Sequence, residues 1–112
     1  MEEVHLTAIL GNILQNALEA CQELEGEGRF IHLLLRWEQE KLVLKCRNSA
    51  SASHQRAIED FISTKGNHRG TGLASVRFMV SQHRGFCQWE AEGDTVLFSA
   101  VLSPERRPRP AG

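Results

Sequence analysis

The clearest pattern of hydrophobic and polar positions lies near the start of the chain, between about Leu6 and Leu24. Apolar residues recur there at steps of three and four, which places them in one stripe along a helix. The stripe comprises Leu6, Ile9, Leu10, Ile13, Ala17, Ala20, Cys21 and Leu24. Gly26 and Gly28 follow, so the sequence predicts a helix that ends before these glycines.

Elsewhere the pattern changes to an alternation at every second residue, which is typical of strands. One pair of alternating segments covers Arg29–Glu38 and Lys41–Arg47, and the two residues between them suit a tight turn. A second pair covers Phe86–Ala91 and Thr95–Leu102, with a glycine in the connection. The sequence therefore predicts two hairpins.

Two further helices are predicted between the hairpins. A short helix spans about Gln55 to Phe61, and a longer one runs from about Thr71 to His83, with Gly85 as its stop. A glycine-rich loop connects these two helices. Helices that alternate with paired strands indicate an α+β fold, here a two-layer sandwich whose mixed sheet is covered on one face by helices.

The expected domain covers residues 1–103. Residues 104–112 hold all three prolines of the chain and three arginines, which is typical of a disordered tail. A formal net charge of -1 favours neither nucleic acid nor a membrane surface as a partner. The sequence has no apolar run long enough to span a bilayer and no basic leader, so we expect a cytoplasmic domain without direct membrane contact.

The cysteines and histidines follow none of the common metal or redox spacings. Cys21, Cys46 and Cys87 are far apart and form no CxxC pair, which predicts reduced core thiols. The five histidines show no HExxH spacing, so a metal cluster is not predicted. Neither GxSxG nor a Cys–His pair indicates a nucleophile.

Two asparagines on the first helix, Asn12 and Asn16, stand about one turn apart beside the apolar stripe. Asparagine is disfavoured inside helices because its side chain competes for backbone hydrogen bonds. Two amide oxygens on one ridge can bind a hard cation such as magnesium. A solvated polar flank explains the same spacing, and the spacing alone favours that simpler interpretation.

The glycine-rich loop carries many hydrogen-bond donors. Where it meets the next helix, backbone N–H groups stand beside a cation and a hydroxyl, and the helix dipole also favours a phosphate there. The pattern is neither the Walker nor the dinucleotide motif, and a flexible connector is the alternative. The candidate phosphate-binding residues are Ser63, Thr64, Lys65, Gly66, Arg69, Gly70, Thr71, Gly72 and Leu73.

A third candidate is Asn48, at the end of the second strand. Its amide could pair with the edge of a base. Asparagine is also common where a turn begins, so Asn48 alone decides nothing.

Taken in order, these segments resemble the catalytic and ATP-binding domain of a sensor histidine kinase, within the GHKL superfamily. Residues 10–20 are similar to the asparagine box of that family, and residues 63–73 to its ATP lid and second glycine box. The resemblance covers nearly the whole chain and is closest to the peptide-quorum-sensing branch of Gram-positive bacteria. It implies a Bergerat-type ATP-binding fold.

The resemblance also implies residue roles. Asn16 would be a magnesium ligand assisted by Asn12, and Asn48 would contact adenine. Lys65, Arg69 and the loop amides would offset charge on the phosphates of ATP. Asn12 and Lys65 are the expected catalytic residues.

Asn12 stands where hydrolysing members of the superfamily carry a glutamate that activates water. Asparagine cannot act as a general base, so the resemblance implies transfer of the γ-phosphate rather than hydrolysis. The expected acceptor is a histidine on a separate dimerisation domain, with a response regulator downstream.

The chain departs from the family pattern in two places. Asn48 replaces the usual aspartate with no glycine after it, and the strand expected before the first helix is missing. The resemblance therefore implies one domain of a larger, membrane-anchored kinase that does not phosphorylate itself alone. The alternative is a degenerate or regulatory GHKL module, similar to anti-sigma factors, which generally carry an acid at the position of Asn12.

Overall fold

The computed structural model describes residues 3–63 and 72–103, with side chains from residue 5 onward. The predicted loop between the second and third helices and the predicted tail lie largely outside these residues. The seven predicted helices and strands are confirmed, with bounds that shift by a few residues. They are α1 (Glu3–Gln22), β1 (Ile31–Glu38), β2 (Lys41–Ser49), α2 (Ala52–Ser63), α3 (Leu73–Gln82), β3 (Phe86–Glu92) and β4 (Thr95–Leu102).

The four strands form one sheet in the order β1-β2-β4-β3, and each pair of neighbours is antiparallel. The α+β class is confirmed, but the prediction of a mixed sheet is wrong for the described strands. The reason is that β4 lies between β2 and β3. The two strands that run in the same direction on either side of the helical connection are therefore not neighbours.

The turn between β1 and β2 consists of Gln39 and Glu40, as predicted. Their φ angles are 53° and 66°. Two consecutive positive φ angles are the geometry of the two-residue hairpin turn that matches strand twist. The turn therefore forms without the asparagine and glycine that usually favour it.

The hydrophobic core lies between one face of the sheet and the helices. The predicted stripe of α1 is buried there through Ile9, Ile13, Ala17 and Ala20. Strand β4 shows a strict alternation, with every second residue buried on the helix side. This arrangement leaves the other face of the sheet to solvent.

Strand β1 lies at the edge of the sheet and is poorly covered. Ile31, Leu33, Leu35 and Trp37 share the helix-side face of β2, because their register partners on β2 are buried. Nevertheless Leu33, Leu35 and Trp37 remain 42% exposed or more. The helical layer therefore covers β2 and leaves much of β1 open.

Helix α3 ends as predicted, but glycine has a different role from the one expected. The left-handed residue at this end is Arg84, with φ 57°. Gly85 is required because a Cβ there would collide with the backbone carbonyl of Val101. The tight passage from α3 into β3 therefore depends on the absence of a side chain.

The cysteines are free thiols, as predicted, with Cys21 and Cys46 buried and Cys87 half-buried. Among the described residues, no helix is both long and apolar enough to cross a membrane.

Candidate functional site

Asn12 and Asn16 are both half-buried on α1. Their side chains make no hydrogen bond with any other residue of the described ranges. Two amide oxygens without partners among the described residues fit a hard cation that keeps several waters, which is how magnesium is usually bound. The donor set therefore fits the predicted magnesium site.

Asn12 approaches the start of α3 closely. A Cβ at Gly72 would lie 2.8 Å from Oδ1 of Asn12 and 3.2 Å from its Cγ. Gly72 also has φ 77°, a left-handed angle that glycine adopts readily. The two motifs that the sequence suggested separately, one on each helix, thus meet at this contact.

Gly72 is the N-cap of α3 and provides no side-chain hydrogen bond to the helix. The positive end of a helix dipole with backbone donors but no capping side chain favours an anion. This end lies beside Asn12, so cation ligands and an anion-favouring helix end are neighbours. That combination suits a phosphate bound together with a metal ion.

The predicted loop residues divide into two groups. Ser63 is the last residue of α2, and its hydroxyl donates to the carbonyl oxygen of Glu59 at 3.2 Å. Leu73 is 2% exposed and packs in the core, so only its backbone could contact a ligand. Apart from Gly72, the others lie outside the described residues: Thr64, Lys65, Gly66, Arg69, Gly70 and Thr71.

Asn48 is buried on the helix side of β2, with 5% of its surface exposed. Its Nδ2 donates to the carbonyl oxygen of Ser49 at 2.9 Å. This bond uses the amide nitrogen and fixes the orientation of the side chain, so Oδ1 is directed elsewhere as an acceptor. Asn48 therefore offers an acceptor although it carries no charge.

An open groove of about 510 Å³ runs between α1 and α3. The lining residues are Ala8, Asn12, Ala74, Ser75, Phe78 and Met79. Asn12 is the predicted site residue in this set, whereas Asn16 and Asn48 are not part of its described lining. The groove therefore reaches the candidate site at Asn12 but does not connect Asn12 to the other two asparagines.

The thiols of Cys46 and Cys87 lack the properties of nucleophiles. Burial, reinforced by the neighbouring Cys21, raises the pKa of Cys46 to about 11. Burial also raises the pKa of Cys87 to about 11, although Arg77 opposes that shift. A thiol with such a pKa is almost entirely protonated near neutral pH, so neither is a reactive group.

One pair of residues was missed by the sequence analysis. His5, on the first turn of α1, lies within hydrogen-bonding distance of His83 at the end of α3, 2.8 Å between ring nitrogens. The two residues are 78 positions apart in the sequence. No local spacing could indicate this pair, since only the packing of α1 against α3 brings them together.

A family model described as a GHKL domain matches residues 1–103. A curated relative, the probable C4-dicarboxylate sensor kinase of Halalkalibacterium halodurans, is 23% identical over 107 residues. The match covers 91% of this chain but 20% of that protein, so the chain spans about a fifth of its relative. The quorum-sensing branch stays a prediction.

Solved structures of histidine kinases have a similar fold. A nucleotide-free form of the catalytic domain of histidine kinase ThkA has a TM-score of 0.69 and 24% identity, covering 90% of this chain and 67% of the solved catalytic-domain chain. A second nucleotide-free form of the same domain has a TM-score of 0.67 and 25% identity, and the match covers 90% of this chain and 68% of that chain. The Acinetobacter baumannii histidine kinase AdeS has a TM-score of 0.67 and 19% identity, and the match covers 91% of this chain and 47% of that chain.

Proposed function

The chain belongs to the GHKL domain family, and on that premise we propose that it binds ATP with Mg²⁺ between α1 and the start of α3. We further propose that it presents the γ-phosphate to a histidine of a separate dimerisation domain. The observation that carries this proposal is the contact between Asn12 and Gly72. It joins a pair of oxygen ligands to a helix end that favours phosphate.

Asn16 and Asn12 would hold the magnesium ion. Held by these two amides, the ion would supply positive charge that offsets the negative charge of the phosphates. The two amides are suited to this because they are half-buried and make no bond to other described residues. Each can therefore turn its oxygen towards the ion without breaking a contact.

The N-terminus of α3 would receive the phosphates. Gly72 contributes its backbone there and leaves room beside Asn12 that a side chain would fill. In the same proposal Thr64, Lys65 and Arg69 add hydrogen bonds and positive charge. Ser63 would add its hydroxyl by leaving the carbonyl oxygen of Glu59. The backbone amides of Gly66, Gly70, Thr71, Gly72 and Leu73 complete the set.

Asn48 would recognise adenine through its Oδ1. The exocyclic amino group of adenine is a donor, and the fixed amide of Asn48 directs an acceptor away from Ser49. The substitution of asparagine for the usual aspartate therefore keeps the acceptor that the base requires.

Transfer is favoured over hydrolysis because no general base stands at the position of Asn12. Glu19 and Glu23, on the same flank of α1, lie about two and three turns further along the helix. Glu19 accepts a hydrogen bond from Gln15, and Glu23 accepts one from Ser51. With asparagine rather than a general base at that position, the γ-phosphate would be left for a better nucleophile than water.

Isothermal titration calorimetry with a non-hydrolysable ATP analogue tests the proposal, with and without Mg²⁺. We expect binding that magnesium strengthens. In Asn16→Ala this strengthening should be lost. Gln22→Ala is a matched control, because Gln22 is an exposed residue at the far end of the same helix.

Two results would contradict the proposal. If the analogue does not bind at concentrations on the order of 1 mM, the chain does not hold ATP at any useful affinity. If the analogue binds and Asn16→Ala responds to magnesium as the unchanged chain does, the metal ligands have been assigned wrongly.

A further inference from the structure

The imidazole rings of His5 and His83 meet where the first turn of α1 lies against the C-terminal cap of α3. Nδ1 of His5 is 2.8 Å from Nε2 of His83, and the ring centroids are 5.0 Å apart with planes inclined at 72°. We propose that these two nitrogens bind a divalent transition-metal ion such as Zn²⁺. The site is separate from the magnesium ligands proposed on α1.

The distance between the two nitrogens explains why a metal ion suits them. A neutral imidazole has one donor nitrogen and one acceptor nitrogen. At 2.8 Å one of the facing nitrogens donates and the other accepts, so both lone-pair directions point into the same small space. A metal ion there takes the place of the shared hydrogen, which moves to the second nitrogen of the ring that held it. Both imidazoles stay neutral, and the site carries the charge of the ion.

Only a small movement is required. Zinc–nitrogen bonds are about 2.0–2.1 Å long, and a tetrahedral angle between two of them places the nitrogens about 3.3 Å apart. The pair therefore has to open by roughly 0.5 Å. A change of this size is within reach of side-chain rotation at the first turn of a helix.

His83 is held in position by its backbone. Its N–H donates to the carbonyl oxygen of Val80 at 3.0 Å, and its own carbonyl oxygen accepts from Ser103 at 2.9 Å. The residue is also 8% exposed. His83 is thus a preorganised ligand, and His5, which is half-buried at the end of α1, is the one that adjusts.

The chemistry of the ligands selects the ion. Imidazole nitrogens suit zinc, nickel and copper, whereas magnesium prefers oxygen. The described residues contain no cluster of three or more metal-binding side chains, so water would fill the remaining coordination positions. The expected site is therefore a two-histidine site of modest affinity.

A metal ion at this point would connect α1 to α3. These are the two helices whose contact between Asn12 and Gly72 frames the proposed phosphate site. Because the folded chain alone brings His5 and His83 together, metal binding would also stabilise the fold by mass action.

Calorimetric titration of the nucleotide-free chain with Zn²⁺ tests this site. We expect one equivalent to bind, and His5→Ala to weaken the affinity by at least about tenfold. His32→Ala is the matched control, since His32 is an exposed histidine on β1 and should leave binding unchanged. Zn²⁺ should raise the melting temperature of the unchanged chain and of His32→Ala but not of His5→Ala.

Titration with Co²⁺ identifies the ligand atoms. Coordination by nitrogen without thiolate–cobalt charge-transfer absorption supports the proposal, and strong absorption of that kind would assign the metal to cysteines and overturn it. Equal affinity of His5→Ala and the unchanged chain for Zn²⁺ would overturn it too. The exposed end of α1 makes His5→Ala the better variant, because His83→Ala removes a buried side chain.

Discussion

Oδ1 of Asn12 lies where a Cβ at Gly72 would approach it to 2.8 Å, so the start of α3 is fitted to an amide on α1. The left-handed φ of 77° at Gly72 adds a second constraint against any side chain. The close approach to Asn12 and the left-handed backbone angle thus both disfavour a side chain at Gly72, at the centre of the candidate site. This relationship gives the first prediction.

Gly72→Ala should destabilise the fold by about 1–3 kcal/mol, since it combines a strained backbone angle with a displaced Asn12. It should also weaken binding of the ATP analogue. Urea unfolding and calorimetry measure the two effects. Gly11→Ala is the control: nothing lies within 4 Å of a Cβ there, and helical alanine should stabilise α1 by roughly 0.5–1 kcal/mol.

The second prediction concerns Asn48. Asn48→Asp is nearly isosteric, but a carboxylate cannot donate to the carbonyl oxygen of Ser49, and two acceptors would face each other in a buried place. We expect a loss of about 1–3 kcal/mol in the free energy of unfolding at neutral pH. Gln22→Glu makes the same chemical change at an exposed position and should have little effect. Equal stability of the two variants would show that the bond to Ser49 does not orient Asn48.

The helices and hairpins were predictable because each has a local signature. The apolar stripe of α1 repeats with the helical period. In each hairpin, apolar and polar residues alternate along both strands, and the connection between them is only two or three residues long. Even the turn at Gln39 and Glu40 was found, although neither residue favours it. Local patterns of this kind do not depend on what the element packs against.

The order of the strands was not predictable in the same way. A hairpin pattern says which strands pair within the hairpin, but not that β4 would lie between β2 and β3. The exposure of β1 was missed for a related reason, since alternation does not reveal whether a helix covers the apolar face. Both properties depend on the arrangement of whole elements.

The candidate site likewise combines features that the sequence predicts with features that depend on how the helices and strands pack. Asn12, Asn16 and the loop were selected from motifs and resemblance, whereas the contact of Asn12 with Gly72 is a product of helix packing. The orientation of the Asn48 amide follows from a bond to its neighbour that the sequence does not specify. The pairing of His5 with His83 had no signal in the sequence.

The third prediction follows from the buried thiol of Cys46, whose pKa is raised from 9.0 to about 11, chiefly by burial. Between pH 9 and pH 11 the thiol of Cys46 therefore keeps its proton in the folded chain and loses it in the unfolded chain. The stability associated with this thiol is fully present below pH 9 and is lost as the pH rises towards 11. The loss should be about 2–3 kcal/mol.

Unfolding by urea at several pH values measures this effect. The chain contains no tyrosine, so no phenol ionises in the same range. In Cys46→Ala the decline between pH 9 and pH 11 should be shallower than in the unchanged chain. The comparison concerns the slopes, because alanine lowers the stability at every pH. Parallel slopes would mean that the thiol ionises equally in both states.

The fourth prediction concerns the open edge of the sheet at β1. The N–H of Ser49 donates to the carbonyl oxygen of Phe30, and hydrogen-bonded positions alternate along an antiparallel pair. Ile31, Leu33, Leu35 and Trp37 therefore direct their backbone groups away from β2, where no other described strand pairs with them. An exposed apolar edge of this kind is a template for association.

We expect this chain to associate increasingly with concentration, through β1. Leu35→Lys should reduce the association, because a charge on an edge strand disfavours pairing with another chain. Gln88→Lys adds the same charge to β3, at the opposite edge of the sheet, and should leave association unchanged. Sedimentation velocity over a concentration series measures both variants. A chain that stays monomeric throughout, or a pair of variants that behave alike, would exclude β1 as the associating edge.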